Sequence, residues 1–238
     1  MLLVILISQT FGLFPVSGIR SKNPQDITFR WISLRLVFSS FFIIYDVFAL
    51  KTVAGVQFGT GINARNAAGI LFFGNCICIN ILFLKISLEW KTIMIRWMNL
   101  ETLFTKDRYK VDPKLWSMSR QIKVFTIFYL FFALIEHFLS VATEFQKMFF
   151  RMGHCNKTID RYAEYIISNH LSHFFHNVPY NHFYGVTLEY FNISTTMSWN
   201  FLDLFIVAIS IGLSTRFKQL NNRIKQFKGR VRSCQVSS

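Results

Sequence analysis

Apolar runs near twenty residues long, each broken by only one or a few polar side chains, alternate with basic stretches along this chain. A helix needs about 20 mostly apolar residues to cross the hydrocarbon core of a bilayer. Four segments meet that length: 31–53, 67–88, 124–143 and 195–215. A charge at the centre of a span costs ~2.5–3.5 kcal/mol on insertion scales, whereas each Leu, Ile or Phe returns ~0.3–0.6 kcal/mol. A dozen large apolar residues therefore offset one carboxylate. The pattern predicts an all-α membrane protein with about four transmembrane helices. Its order is segment 1–30, span 31–53, loop 54–66, span 67–88, loop 89–123, span 124–143, loop 144–194, span 195–215 and tail 216–238.

Two of the intervening stretches carry helical periodicity of their own. In the third loop Ile159, Tyr162, Ile166 and Phe174 form a broken stripe, which predicts short amphipathic helices lying over the membrane surface. In the tail Phe217, Leu220, Ile224 and Phe227 recur opposite Lys218, Arg223 and Lys225, so the fourth span is expected to continue as a basic amphipathic helix. Met1 to Ile7 is apolar but too short to span. It lacks the basic leader of a signal peptide, since the first positive charge is Arg20.

Composition agrees with lipid as the solvent. The chain has 238 residues, 52% hydrophobic and 16% charged, with 28 Phe; a soluble domain is nearer a quarter charged. The net charge of +14 would suit nucleic acid, but the placement of the charges argues for a membrane instead. Of the 26 Lys and Arg, 20 fall in segment 1–30, at the start of the first span, in the stretch from Lys85 to Lys123 or in the tail. Basic residues concentrate on the cytosolic side. The N-terminus, second loop and tail are therefore expected in the cytosol, and loops 54–66 and 144–194 outside. The two Asn-x-Ser/Thr sequons, at Asn156 and Asn192, both lie in loop 144–194, as candidate glycosylation sites require. The four cysteines form no CxxC pattern, so neither a disulfide framework nor a zinc site is indicated.

Polar groups inside spans are the sharpest chemical signal, because lipid makes them expensive. Asp46 lies in the outward half of the first span, Glu136 and His137 in that of the third, and Trp199, Asn200 and Asp203 in that of the fourth. Asn75 and Asn80 add amides near the middle of the second. An outward-opening aqueous cavity would account for all of them: carboxylates and amides would bind a polyol while Trp stacks on its C–H face. The alternative is that these groups tie helices together by interhelical hydrogen bonds. His170, His173 and His176 are spaced by three, as metal ligands on one helix face can be. They lack an acidic ligand set, however, and no metal or other cofactor is expected. Glu136 and His137 are adjacent and cannot face one point on a helix. No nucleophile–base pair or phosphate loop is present, so the chain does not read as an enzyme.

Specific strings point further. Phe11-Gly12-Leu13-Phe14-Pro15-Val16-Ser17-Gly18-Ile19 resembles the segment before the first span in insect sugar-taste gustatory receptors of the trehalose-receptor type. Similar to that family, in the family's order, are Phe83-Leu84-Lys85 with Trp90, Trp97 and Glu101, and Ala133-Leu134-Ile135-Glu136-His137. Most specific is Ser198-Trp199-Asn200-Phe201-Leu202-Asp203-Leu204-Phe205 followed by Arg216-Phe217-Lys218-Gln219-Leu220-Asn221. The resemblance implies the N-terminal part of a seven-helix chemoreceptor with a cytosolic N-terminus, in the plasma membrane. It implies a sugar ligand, assembly with other gustatory receptor subunits as a homo- or hetero-tetramer, and a sugar-gated cation channel. The chain departs from the family in stopping after its fourth span, which makes a non-conducting fragment or scaffold associated with intact subunits the alternative reading. Neither reading includes a nucleic-acid partner.

Overall fold

The structure, a computed structural model, describes residues 2–21, 23–60, 64–104, 117–155, 162–175 and 179–236. Its elements are α1 (Leu2–Thr10), β1 (Val16–Ser17), a 3-10 turn (Pro24–Asp26), β2 (Thr28–Phe29), α2 (Leu34–Thr60), α3 (Ala64–Phe104), α4 (Met118–Cys155), α5 (Tyr162–His170), α6 (Ser172–Phe175) and α7 (His182–Val236). Four of them, α2, α3, α4 and α7, are long and apolar enough to cross a membrane. The all-α membrane fold expected from the hydropathy pattern is therefore the fold observed. Among the described residues, the only strands are the two-residue pair β1 and β2, antiparallel with Val16 opposite Phe29.

The helices overrun the segments that hydropathy marked. Apolar runs report only the stretch that lipid must cover, whereas a helix continues until something breaks it. Pro15, Pro24 and Pro179 fall outside the long helices, and Pro113 lies outside the described residues. A proline in a helix interior would cost ~3 kcal/mol, and none interrupts here. Thus α3 holds 41 residues, about 60 Å of helix, and ends well beyond residue 88. α7 holds 55 residues, roughly 80 Å. It includes the first part of the tail, as the period of Phe217, Leu220, Ile224 and Phe227 predicted, and it also takes in residues 182–194 of the expected third loop. α4 likewise extends past residue 143 to Cys155. α2 begins at Leu34 rather than at residue 31 because Ser33 caps it: the Ser33 Oγ accepts from the Leu36 N–H at 3.2 Å.

Within segment 1–30, described residues of α1 and of the turn after it pack into the bundle. Val4 and Ile5 of α1 are 0% and 3% exposed and share a cluster with Phe83, Trp90, Phe201 and Phe205. Phe14 is the wedge. It sits at φ 55°, a region bulky residues rarely adopt, with its ring 4.9 Å from Trp90, 5.2 Å from Phe83 and 5.6 Å from Phe205. Gly12, at φ 76°, allows the approach, since a Cβ there would lie 2.1 Å from the Phe42 ring. The Tyr190 hydroxyl closes the arrangement by donating to the Thr10 carbonyl at 3.1 Å.

Packing orders the bundle around α7, which buries 44% of its most apolar window against 11% for α4. A second cluster joins Tyr45, Ala49 and Val53 of α2 to Phe73 of α3, to Leu171 and to Phe174 of α6. At the other end of the bundle Arg216 of α7 donates to Glu101 of α3 at 2.6 Å and to Gln219 at 2.9 Å. The rest of α4, including Phe128, Phe131, Leu134 and Phe138, is exposed and forms an apolar surface suited to lipid.

Candidate functional site

The polar residues of the spans separate into two groups. Asp46 is 0% exposed. One of its carboxylate oxygens accepts from the Asn80 amide and the other from the Thr195 hydroxyl, each at 2.8 Å. The Asn80 amide also donates to the Cys76 carbonyl at 3.1 Å. This is a tie between α2, α3 and α7. Asp46 is thus tied between helices, as the interhelical alternative has it. Asn75, a turn away, is exposed.

Glu136, His137, Asn200 and Asp203 lie along the seam between α4 and α7, which run antiparallel. At its inner rung the Tyr129 hydroxyl donates to Asp203 at 3.3 Å, with the Asn200 side-chain oxygen at 3.5 Å. Glu136 lies seven residues on from Tyr129, on the same helix face and about 10 Å along the axis. Both Glu136 and Asp203 are exposed. Trp199, 38% exposed, turns towards α3 and stacks on Phe72 at 5.9 Å. The outer rung is a clasp absent from the expected set. Glu189 of α7 lies between His137 of α4, at 3.6 Å, and His170 of α5, at 3.1 Å. Burial of the three side chains is similar, at 15–20% exposure, and the two imidazoles are 6.3 Å apart. The hydrogen bond to Glu189 raises the His170 pKa above its ordinary value.

His173 behaves oppositely. It packs between Phe73 and Phe174, at 5.7 and 4.3 Å, and its Nε2 is buried without a partner. Burial pushes its pKa down to about 4. His170 and His173 therefore face different surroundings, His176 lies outside the described residues, and no group of three or more ligating side chains among the described residues is arranged to hold a metal.

Beside the clasp, a polar groove of about 290 Å³ opens between α4 and α5, lined among others by Glu144, Lys147, Arg151, Tyr165 and Asn169. Glu144 and Lys147 pair at 2.5 Å, and the Arg151 guanidinium stands 5.9 Å from the Tyr165 ring centre. The spacing of Glu144, Lys147 and Arg151 along α4, at i, i+3 and i+7, was the legible signal for this groove. Glu189 gave no such signal, since its partners come from other helices. Of the two sequons, Asn156 lies outside the described residues. Asn192 is half-buried within α7, and its Ser194 hydroxyl is buried and donates to the Tyr190 carbonyl at 2.8 Å.

Comparison with known proteins gives this geometry its context. The sequence model of the trehalose receptor family matches residues 1–236. Among curated proteins of Drosophila melanogaster, the chain is 28% identical to the gustatory receptor for sugar taste 64f over 95% of its own length and 47% of the relative's. It is 30% identical to the gustatory receptor for sugar taste 61a, over 95% of this chain and 52% of that one. With the gustatory receptor 5a for trehalose it shares 23% identity over 94% and 48%. The chain spans about half the length of the curated relatives it matches. Four apolar spanning helices, a buried tie across three of them and a family match over nearly every residue agree: this chain belongs to the trehalose receptor family of insect sugar gustatory receptors.

Proposed function

We propose that this chain supplies the outward sugar-sensing half of a sweet-taste receptor subunit. The receptor is a sugar-gated cation channel in the plasma membrane of a chemosensory neuron, with the N-terminus in the cytosol. The observation that carries the reading is that Glu136 and Asp203 remain exposed within helices whose surroundings make charge costly. Such carboxylates are tolerated where they meet water or a polar ligand, and a sugar offers the matching array of hydroxyls. Asp203 and Asn200, with Tyr129, would hold one edge of the sugar by hydrogen bonds; Glu136, on the same face of α4 as Tyr129, would hold the other, while His137 steadies the seam through Glu189; and Trp199 offers part of an aromatic face. Asp46 serves by keeping α2, α3 and α7 in register.

Gating follows from the continuity of α7. Glu189, Asn200, Asp203 and Arg216 all lie on this one helix, so a ligand that favours one setting of the α4–α7 seam biases the position of its inner end. Other gustatory receptor subunits complete the pore. No catalytic step is assigned to any residue.

The test is sugar-evoked current from a receptor-length form carrying this chain. Asp203→Asn is expected to raise the half-maximal sugar concentration roughly tenfold, the effect of losing ~1.4 kcal/mol of binding. Asp46→Asn is expected to lower the amount of folded receptor while leaving that concentration unchanged in the receptors that remain. An Asp203→Asn receptor with the parental dose response would remove the seam from the site.

A further inference from the structure

A second cavity has a volume of about 710 Å³. It is bounded by α1, the turn after β1 and the start of α2. Its lining combines the aliphatic residues Leu6, Ile7 and Ile19 with Arg20, Arg35 and Ser21. The two kinds of lining suit two parts of one molecule. We propose that this cavity is a binding site for an anionic phospholipid, with the arginines on its phosphate and the aliphatic residues against the first methylenes of its acyl chains.

Four observations carry the assignment. The first is depth. Trp31, Ile32 and Leu34, just before and at the start of α2, are 69%, 96% and 88% exposed. Such residues belong at or below the membrane interface, where Trp is enriched, which sets the neighbouring cavity at headgroup level. The second is charge. Among the described residues lining the cavity the charged ones are Arg20 and Arg35, and the nearby Asp26 accepts from the Ser21 hydroxyl. The third is spare donor capacity. Arg35 gives one N–H to the Val16 carbonyl, and a guanidinium has five, in a fork that matches a phosphate. The fourth is rigidity. The Gln9 amide donates to the Phe14 and Val16 carbonyls at 2.9 and 2.7 Å, and a Cβ on Gly18 would stand 2.1 Å from the Asp26 carbonyl oxygen. The cavity is thus built by the same turn that seats Phe14. The inference is independent of the sugar reading.

The shared chemistry, a phosphate between two arginines, could also be met by a free anion, so the experiment has both arms. The purified chain in a neutral detergent would be titrated with dioctanoyl phosphatidic acid, dioctanoyl phosphatidylcholine or inorganic phosphate, with bound ligand read by native mass spectrometry. The expected result is retention of phosphatidic acid at concentrations where neither of the other two is retained. The double variant Arg20→Gln, Arg35→Gln is expected to weaken that retention by at least roughly tenfold, since charge-assisted bonds to phosphate are the strong ones. Two further variants separate binding from folding. Arg20→Gln alone leaves the Arg35 bond to Val16 in place, and Ile19→Trp fills the cavity without changing charge; each is expected to weaken retention. Equal retention of phosphatidylcholine, displacement of the lipid by phosphate at equal concentration, or unchanged retention in all three variants would overturn the assignment.

Discussion

The histidines near the outer end of the bundle show how position sets chemistry in one residue type. His170 gains a carboxylate and His173 loses its water, so their pKa values move apart from a common 6.5. The signs of their stability contributions follow. His170, raised, adds stability that is fully present below pH 6.5 and is lost as pH rises through its elevated value. His173, lowered to about 4, behaves the other way: the folded chain loses stability as pH falls from 6.5 towards 4, because protonation favours the unfolded state. His173→Phe keeps an aromatic ring against Phe73 and Phe174 and removes the buried nitrogen. Its thermal midpoint relative to the parent chain is expected to rise by roughly 2–4 °C at pH 5 and by less at pH 8. A variant that gains equally at both pH values would show that packing, and not titration, decides the behaviour of His173.

At the scale of elements, the long helices are joined by a few polar ties that recur at different depths. Asp46 joins three helices near the middle, Glu189 joins α4, α5 and α7 at one end, and Arg216 joins α7 to α3 at the other. Away from water, packing by itself discriminates weakly between one apolar helix face and another, and hydrogen bonds between helices select the register. The Glu101–Arg216 pair is the one most open to measurement. Its side chains are 35% and 15% exposed, and the Arg216 guanidinium also stands 5.6 Å from the Phe104 ring centre. Glu101→Gln and Arg216→Met are each expected to destabilise the bundle by ~1–3 kcal/mol, the cost of leaving the partner unpaired. In a double-mutant cycle the pair should be coupled by at least ~0.5 kcal/mol. Additive losses would mean that the two side chains act separately.

At the scale of the whole molecule, three crossings between the N-terminus and loop 144–194 would put the two on opposite faces of the membrane. Tags at residue 1 and beside Asn156 are expected to react with an impermeant reagent from opposite sides of an intact cell, the Asn156 tag from outside. Labelling of both from one face would contradict three crossings between them. The family motifs take on physical roles at this scale as well. Phe11 to Ile19 forms the turn that wedges α1 into the bundle, Trp90 receives Phe14, and Glu101 and Arg216 close the far end of α3 against α7.

Sequence alone determined the fold class, the four spanning segments, the family and the list of polar residues that lipid would not tolerate without a reason. Those are local quantities: hydropathy over twenty residues, the period of a stripe, the order of short motifs along the chain. Tertiary structure decided which polar residues meet. Asp46 and Asp203 look alike in the sequence, each a single carboxylate in an apolar run. One is sealed between Asn80 and Thr195 while the other stays exposed beside Tyr129. Glu189 acquires a role only because His137 and His170 are brought against it from two other helices, and Met1 to Ile7, too short to span, gave no sign that Val4 and Ile5 would enter the core. The reason is that lipid fixes which stretches become helices but not how those helices rotate and pair. The rotation and pairing are set by hydrogen bonds and ring contacts between residues as far apart in the chain as Asp46 and Thr195.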